Sequence, residues 1–277
     1  MNAEGLMNEA ALMNMDAVMN IDSAPIRPTF PSNRATASLV GGLYITGILA
    51  GVASFVALGF TKPAGPDYLA EAAALGNRLV ISALFVLVMG LSLAFIPILL
   101  YPILGATSRR LALGYLIFRG ALETSLTILL VIGSLVLSQM GRGYAPGDPD
   151  AAGVRASARM LATVSSVISS VALPIVFLAG AAMFYTILLR ARLVPRWLAV
   201  WGLVAIVPYL TYPFLVAFGI GPANAEALWD APMALQEMVL AGWLIVCGFS
   251  GTTPPHPNPE GPAQGSATGA LRASTIS

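Results

Sequence analysis

The 277-residue sequence is poor in the side chains that most cofactors and metal centres require. It contains one histidine, His256, one cysteine, Cys247, and one lysine, Lys62. Because His256 lies in a proline-rich tail and Lys62 in a loop, a histidine-ligated haem, an HExxH zinc protease and a retinal Schiff base are excluded. A single cysteine also excludes a disulfide within the chain. The sequence therefore predicts no cofactor and no metal site.

Charge is scarce as well. Charged residues make up 10% of the chain and hydrophobic residues 57%, and the mean hydropathy is +0.81. A soluble domain carries about 25% charged residues, so this composition predicts a membrane protein whose partner is the lipid bilayer. The net charge of +1 leaves no basic patch for nucleic acid. The oligomeric state is left open.

Six apolar runs predict an all-α fold, a polytopic membrane helix bundle with six transmembrane helices in one domain, 38–250. The predicted spans are residues 37–60, 79–100, 111–137, 161–189, 197–218 and 232–249. None of these runs contains an aspartate, which excludes an aspartyl intramembrane protease. The polar residues 1–37 and the Pro/Gly/Ser-rich residues 251–277 are predicted to be disordered cytoplasmic extensions.

The distribution of basic residues predicts the orientation of the chain. Eight basic residues fall on the side of the two termini and five on the opposite side. Cytoplasmic loops are enriched in lysine and arginine, so both termini are expected in the cytoplasm. The short loops "GATSRR" and "RARLVPR" carry the clearest part of this signal. The eight are Arg27, Arg34, Arg109, Arg110, Arg190, Arg192, Arg196 and Arg272.

The stretch "LVPRWLAVWGLVAIVPYL", residues 193–210, resembles the DUF4386 family of prokaryotic membrane proteins. "GGLYITGILAG" in the first span, "ALQEMVLAGWLIVCGF" in the last and "PDYLA" in the first loop are similar to that family too. The resemblance covers roughly residues 35–250, and its most specific part is the start of the fifth span at residues 194–197. It implies a six-helix fold in a prokaryotic cell membrane, and it implies no activity.

The third span carries two charges near its middle, in the stretch "GYLIFRGALETSLTILL", residues 114–130. A charge at the centre of a membrane helix costs about 2.5–3.5 kcal/mol, while each Leu, Ile, Phe or Val returns about 0.3–0.6 kcal/mol. The span has fifteen such apolar residues, which offer roughly 7 kcal/mol against roughly 6 kcal/mol for Arg119 and Glu123. The helix is therefore expected to insert, with both charges facing a partner inside the protein or a water-filled cavity.

The candidate ligand or proton site consists of five residues on two spans. A helical period places Arg119, Glu123 and Thr127 within about 80° of one face of the third span. The last span supplies Gln236 and a second intramembrane acid, Glu237. If these spans pack together, one guanidinium meets two carboxylates, and the repulsion between the carboxylates favours protonation of one of them.

Two interpretations of this cluster are open. In the first, the protein is not an enzyme and binds or moves a small solute or protons through the cluster, since intramembrane ionisable groups often mark such routes. In the second, the cluster only fixes the register of the helices in a structural or accessory protein. An enzyme is not favoured, because no nucleophile–base pair and no set of metal ligands is found. Convergence of the three charges, and water access to them, would distinguish the alternatives, and a converged but dry cluster would count against transport.

Three further residues are predicted to anchor the fifth span at the cytoplasmic interface. Arg196 precedes Trp197 and Trp201, which lie one helical turn apart. Tryptophan is enriched at the membrane–water interface because one part of its ring is apolar and the other is polar.

Overall fold

The computed structural model describes residues 33–60, 68–144, 151–220 and 226–250, which form seven helices and no strand. The helices are α1 Asn33–Leu58, α2 Tyr68–Leu75, α3 Asn77–Gly105, α4 Arg109–Arg142, α5 Ala151–Ala191, α6 Arg196–Ala217 and α7 Glu226–Val246. The predicted all-helical class is confirmed. Most of the two predicted disordered extensions lies outside the described residues, although residues 33–37 already belong to α1.

Five helices, α1, α3, α4, α5 and α6, are long and apolar enough to cross a membrane. Large apolar side chains point outward along them, as Leu49, Ile98, Leu129 and Val207 do, all more than half exposed. Such a surface is suited to lipid tails and not to water. The chain is therefore built as a multi-pass membrane protein. The seventh helix, α7, has 21 residues and is less apolar, and it is not among the five.

Three segments that were predicted to be polar connections are partly helical. The first loop contains α2, whose alanine- and leucine-rich sequence "YLAEAAAL" buries Leu69 and Ala72. Helix α5 begins at Ala151, ten residues before the predicted span, and α7 begins at Glu226, six residues before it. A helix satisfies its own backbone, so it continues past the apolar run into more polar sequence. As a result Asp230, placed outside the predicted spans, lies inside α7.

The six long helices form a closed ring. Going around it, α1 contacts α3, α3 contacts α4, α4 contacts α5, α5 contacts α6, α6 contacts α7, and α7 returns to α1. In this order α4 and α7 stand on opposite sides. The centre of the ring is filled by large buried side chains, which include Tyr44, Ile96, Leu100, Tyr115, Phe184 and Leu240. A second apolar cluster at one end joins α2 to α3, α4 and α5.

Arginine side chains complete the ends of two helices. Nη2 of Arg34, at the start of α1, donates to the carbonyl of Val246 at the end of α7 over 2.9 Å. Nε of Arg78, at the start of α3, donates to the carbonyl of Ala57 near the end of α1 over 2.8 Å. The last carbonyls of a helix lack intrahelical partners and carry partial negative charge, so a cation there is favourable. These contacts hold α7 and α1 to their neighbours at opposite ends of the ring.

Two adjacent glycines of α1 provide a matched test of the α1–α7 contact. A Cβ on Gly41 would lie 2.8 Å from the carbonyl oxygen of Ala241, whereas a Cβ on Gly42 would meet nothing within 4 Å. We expect Gly41→Ala to push α7 away and to lower the free energy of unfolding by about 1–3 kcal/mol. Gly42→Ala should be neutral or stabilising by up to about 1 kcal/mol, because alanine is the better helix former. Reversible unfolding in bicelles measures both, and equal effects would contradict the packing described.

Candidate functional site

Arg119 lies in a π-helical turn of α4. The turn covers Leu116–Leu122, and the amide of Glu123 bonds to the carbonyl of Phe118, five residues earlier. A Cβ on Gly180 of α5 would lie 3.3 Å from the backbone nitrogen of Arg119, so glycine allows α5 to approach this turn closely. Single π-helical turns inside α-helices occur frequently at functional sites. The regular helical period used for the sequence did not predict this turn.

The three charged side chains of the candidate site converge. Nη1 of Arg119 lies 3.3 Å from Oε2 of Glu123, one turn along the same helix. Nη2 of Arg119 lies 3.2 Å from Oε1 of Glu237 and donates a hydrogen bond to it. Since α4 and α7 stand on opposite sides of the ring, this second ion pair crosses its centre. The side chains are 3% exposed for Arg119, 10% for Glu123 and 17% for Glu237, so Glu237 is the most accessible of the three.

Aromatic rings surround the cluster. The guanidinium carbon of Arg119 stands 4.4 Å from the ring centroid of Phe177, a cation–π arrangement. Tyr115, one turn before Arg119, stacks on Phe184 with centroids 4.8 Å apart. Tyr44 and Tyr185 complete the wall next to Glu237. The cluster therefore lies in an apolar environment, in which electrostatic interactions are screened much less than in water.

The gap between the aromatic rings and the ion pair is too small for water. No part of the gap lined by these rings, Arg119 and Glu237 admits a water molecule. The space beside Arg119 is thus dry in this conformation, while the side chain of Glu237 keeps 17% exposure. A solute larger than water would bind only if the helices of the ring moved apart.

Two polar atoms of the cluster lack a hydrogen bond. Among the described residues no hydrogen-bond partner meets Nε of Arg119, and Oε2 of Glu123 has only its ion pair with Arg119. A buried polar group without a hydrogen bond costs about 1–3 kcal/mol.

Thr127 is buried but does not reach the charges. Its hydroxyl donates to the carbonyl of Glu123 on its own helix over 2.9 Å. Its methyl group packs against Gly90 of α3, and a Cβ added to that glycine would lie only 2.8 Å from the methyl group. The structure therefore places Thr127 at the contact between α3 and α4. Its predicted position on the inner face is confirmed, but it makes no contact that would suit a ligand.

Gln236 ties three helices together. Its Oε1 accepts a 2.5 Å hydrogen bond from the hydroxyl of Tyr185 on α5, and its Nε2 donates to the carbonyl of Leu198 on α6 over 3.1 Å. Neighbouring residues of a helix point about 100° apart, so Gln236 and Glu237 face different partners. Gln236 acts on the cluster indirectly, because it holds Tyr185 and the position of α7.

The predicted interface anchors lie at the end of the ring where α6 begins. Arg196 is exposed, and Trp197 is 54% exposed and stacks on Trp201 with centroids 6.3 Å apart. The turn before α6 is held by Ser250, whose amide donates to the carbonyl of Leu193 over 2.8 Å. This arrangement is compatible with an interfacial position, and the anchoring role remains a prediction.

Sequence reasoning missed the aromatic side chains of the site and placed one acid outside the helix that contains it. Tyr115 precedes Arg119 by the same four residues that separate Arg119 from Glu123, and this spacing could have indicated it. Tyr44, Phe177 and Tyr185 come from other helices and have no comparable sequence signal. Asp230 was missed because the apolar run begins after it.

The cluster carries an excess of negative charge. One guanidinium faces two carboxylates, so the group carries a net charge of about −1 when both acids are ionised. Among the described residues, no group of three histidine, cysteine, aspartate or glutamate side chains could hold a metal ion. Uptake of one proton by either carboxylate would make the cluster neutral.

Comparison with known proteins identifies a family without an assigned activity. The sequence model of DUF4386, a domain of unknown function, matches residues 39–248. None of the curated proteins and none of the solved structures matches the chain. The arrangement of charges in the ring is therefore the basis for any statement about function.

Proposed function

The chain belongs to the DUF4386 family of domains of unknown function, and we propose that it is an integral membrane protein whose Arg119–Glu123–Glu237 cluster binds an exchangeable proton. The observation that supports this proposal is the sharing of one buried guanidinium by two carboxylates from opposite sides of the ring. A net negative charge in an apolar environment is strongly disfavoured. One proton removes that charge without any rearrangement of the helices.

A proton fits the space at the cluster better than a solute does. The gap beside Arg119 and Glu237 admits no water molecule, whereas a proton on a carboxylate oxygen needs no cavity. Glu237 is the better candidate for the exchanging acid, because it is the more exposed of the two. Glu123 then remains as the permanent counter-ion of Arg119.

The membrane arrangement is part of the same proposal. Helix α7 is the sixth span: its outward side chains Leu235, Met238 and Val246 are all at least 54% exposed, and the polar side chains of Gln236 and Glu237 point into the ring. Both termini then lie on the cytoplasmic side of the cell membrane, which is the side that carries the arginine-rich connections. The carboxylate of Glu237 is masked from lipid by the pairing with Arg119, which makes a polar helix acceptable in a bilayer.

A structural role is the second candidate, and a specific contact favours it. The ion pair from Arg119 to Glu237 joins α4 to α7, and Gln236 joins α7 to α5 and α6. Together these polar contacts fix the rotation of α7 within the ring. In this alternative the cluster exchanges no proton and serves only the assembly of the helices.

Infrared difference spectroscopy distinguishes the two candidates. For the wild-type protein in lipid nanodiscs, we expect spectra recorded at two pH values to contain the carbonyl band of a buried protonated carboxyl group. The band should disappear in Glu237→Gln and persist in Glu71→Gln, which removes a carboxyl from α2 outside the cluster. A wild-type spectrum without the band, or a band that survives in both Glu237→Gln and Glu123→Gln, would favour the structural role.

A further inference from the structure

Five arginines, called the arginine surface below, lie at the end of the ring where α5 ends and where α4 and α6 begin. Arg109 and Arg110 are the first two residues of α4, and Arg196 is the first residue of α6. Arg190 lies in the last turn of α5, and Arg192 follows that helix. All five are exposed, and the connections from α3 to α4 and from α5 to α6 lie wholly within the described residues.

Contacts between the three helices place these arginines at one level. Tyr115 of α4 stacks on Phe184 of α5 with centroids 4.8 Å apart, and a Cβ on Gly202 of α6 would lie 2.6 Å from the ring of Tyr185 on α5. From these contacts, the nearest arginine of each helix is five or six residues away towards the same end, which is about 8–9 Å along the axis. Three neighbouring helices therefore carry positive charge at the same depth of the ring.

The described part of the chain brings no negative charge to the arginine surface. Its five acids lie elsewhere: Glu123 and Glu237 near the centre of the ring, and Glu71, Glu226 and Asp230 on α2 and the start of α7, at the opposite end. None of the five guanidinium groups forms a hydrogen bond or an ion pair with a described residue. Because like charges at one level repel one another, an anion from outside the chain would stabilise this arrangement.

Helix stability does not account for three of the arginines. The first turn of a helix carries partial positive charge, so a cation there is unfavourable. Arg109, Arg110 and Arg196 nevertheless begin α4 and α6, whose first turns contain no acid. The preference for basic residues in cytoplasmic connections requires only that they stay on one side of the membrane. It does not require them to meet at one level on three neighbouring helices.

Exposed apolar side chains continue the faces that begin with arginine. Leu113 follows Arg109 by one turn of α4, and Val200 and Val204 follow Arg196 by one and two turns of α6. All three apolar side chains are at least 44% exposed. Residues four apart lie on one face of a helix, so positive charge and apolar surface adjoin on both helices. A ligand that fits both parts has an anionic head and apolar chains.

We propose that the arginine surface binds the phosphate of an anionic phospholipid, whose acyl chains lie along the outward faces of α4 and α6. Guanidinium groups match phosphate oxygens with paired hydrogen bonds. A free phosphate would use the arginines alone, whereas the adjoining apolar side chains suit acyl chains. The surface is separate from the Arg119–Glu123–Glu237 cluster, so this inference does not depend on the proposed proton site.

Native mass spectrometry of the full chain in neutral detergent measures this binding. Phosphatidylglycerol should bind at least about tenfold more tightly than phosphatidylcholine, which carries no net charge. Each basic residue near an anionic lipid contributes about fivefold to affinity, so Arg110→Gln/Arg192→Gln should weaken the binding of phosphatidylglycerol about thirtyfold. Arg155→Gln/Arg159→Gln removes the same charge from exposed positions near the start of α5, at the opposite end, and should leave the binding unchanged.

Four results would overturn the proposal. Equal binding of the two lipids, or wild-type binding by Arg110→Gln/Arg192→Gln, would remove the role of the arginines. An equal loss in Arg155→Gln/Arg159→Gln would show that binding follows net charge and not this surface. If inorganic phosphate or glycerophosphoglycerol, which has no acyl chains, competes as well as phosphatidylglycerol, the ligand is a free anion and not a phospholipid.

A single variant keeps the test open if Arg110→Gln/Arg192→Gln fails to fold. Arg196→Gln should weaken the binding of phosphatidylglycerol about fivefold, and wild-type binding by that variant would overturn the proposal.

Discussion

Replacement of Arg119 with methionine should lower the free energy of unfolding by about 3–5 kcal/mol, because it leaves two buried carboxylates without their shared cation. Methionine retains much of the length of the arginine stem, so the packing on Phe177 is largely kept and the loss reports mainly on charge. Reversible unfolding in bicelles gives the free energies. Arg110→Met, at an exposed position of the same helix, should stay within about 0.5 kcal/mol of the wild type.

Removal of all three charges should recover most of the stability lost in Arg119→Met. Adding Glu123→Gln and Glu237→Gln to that variant eliminates the unpaired carboxylates, and buried ionic groups replaced together are often neutral in their effect. A triple variant no more stable than Arg119→Met would show that the loss came from packing around the π-helical turn. If Arg119→Met is as stable as the wild type, the ion pairs contribute nothing to the free energy of unfolding.

The convergence of the charges was predictable because the bilayer offers them no alternative. Arg119 and Glu123 lie on one helix and Glu237 on another, but an unpaired charge among lipid tails is so unfavourable that each must find another. The same reasoning made the helices themselves predictable, since an apolar run long enough to cross a bilayer must form a helix there. Both predictions depend on composition and on the solvent, and not on details of packing.

What the sequence did not predict depends on contacts between helices. The π-helical turn around Arg119 forms where Gly180 lets α5 approach the backbone, and no local pattern in α4 specifies it. The aromatic wall comes from α1, α4 and α5, and its side chains meet only because these helices pack together in the ring. The dryness of the cluster is a property of how those rings fill the space, so composition could not decide between a cavity and a packed core.

The start of α7 illustrates a limit of apolar runs as a guide to helix boundaries. The run begins at Pro232, but the helix already starts at Glu226, so Pro232 lies inside it. Six additional residues change the chemistry of the helix, because they bring Asp230 onto the face of Glu237. A boundary error of less than two turns therefore concealed a second acid on the face of α7 that carries Glu237.

Gln236→Leu should cause the second largest loss of stability, about 2–4 kcal/mol, because it leaves two buried groups without hydrogen bonds. These groups are the hydroxyl of Tyr185 and the carbonyl of Leu198, both of which now bond to the Gln236 amide. Leucine has a similar volume, so the cost arises from the lost hydrogen bonds and not from a cavity. The same unfolding measurement in bicelles applies.

A double-mutant cycle with Tyr185→Phe isolates the contact between Gln236 and Tyr185. Once the Tyr185 hydroxyl is removed, Gln236→Leu should cost less by about 0.5–3 kcal/mol, the range for residues in one hydrogen-bond network. Leu235→Ala, on the exposed face of the same helix, serves as the control for α7 and should have a much smaller effect. Additive losses in the cycle would mean that the two side chains do not interact. In that case Gln236 would not hold Tyr185 against the cluster, and the position of Glu237 opposite Arg119 would depend on their ion pair alone.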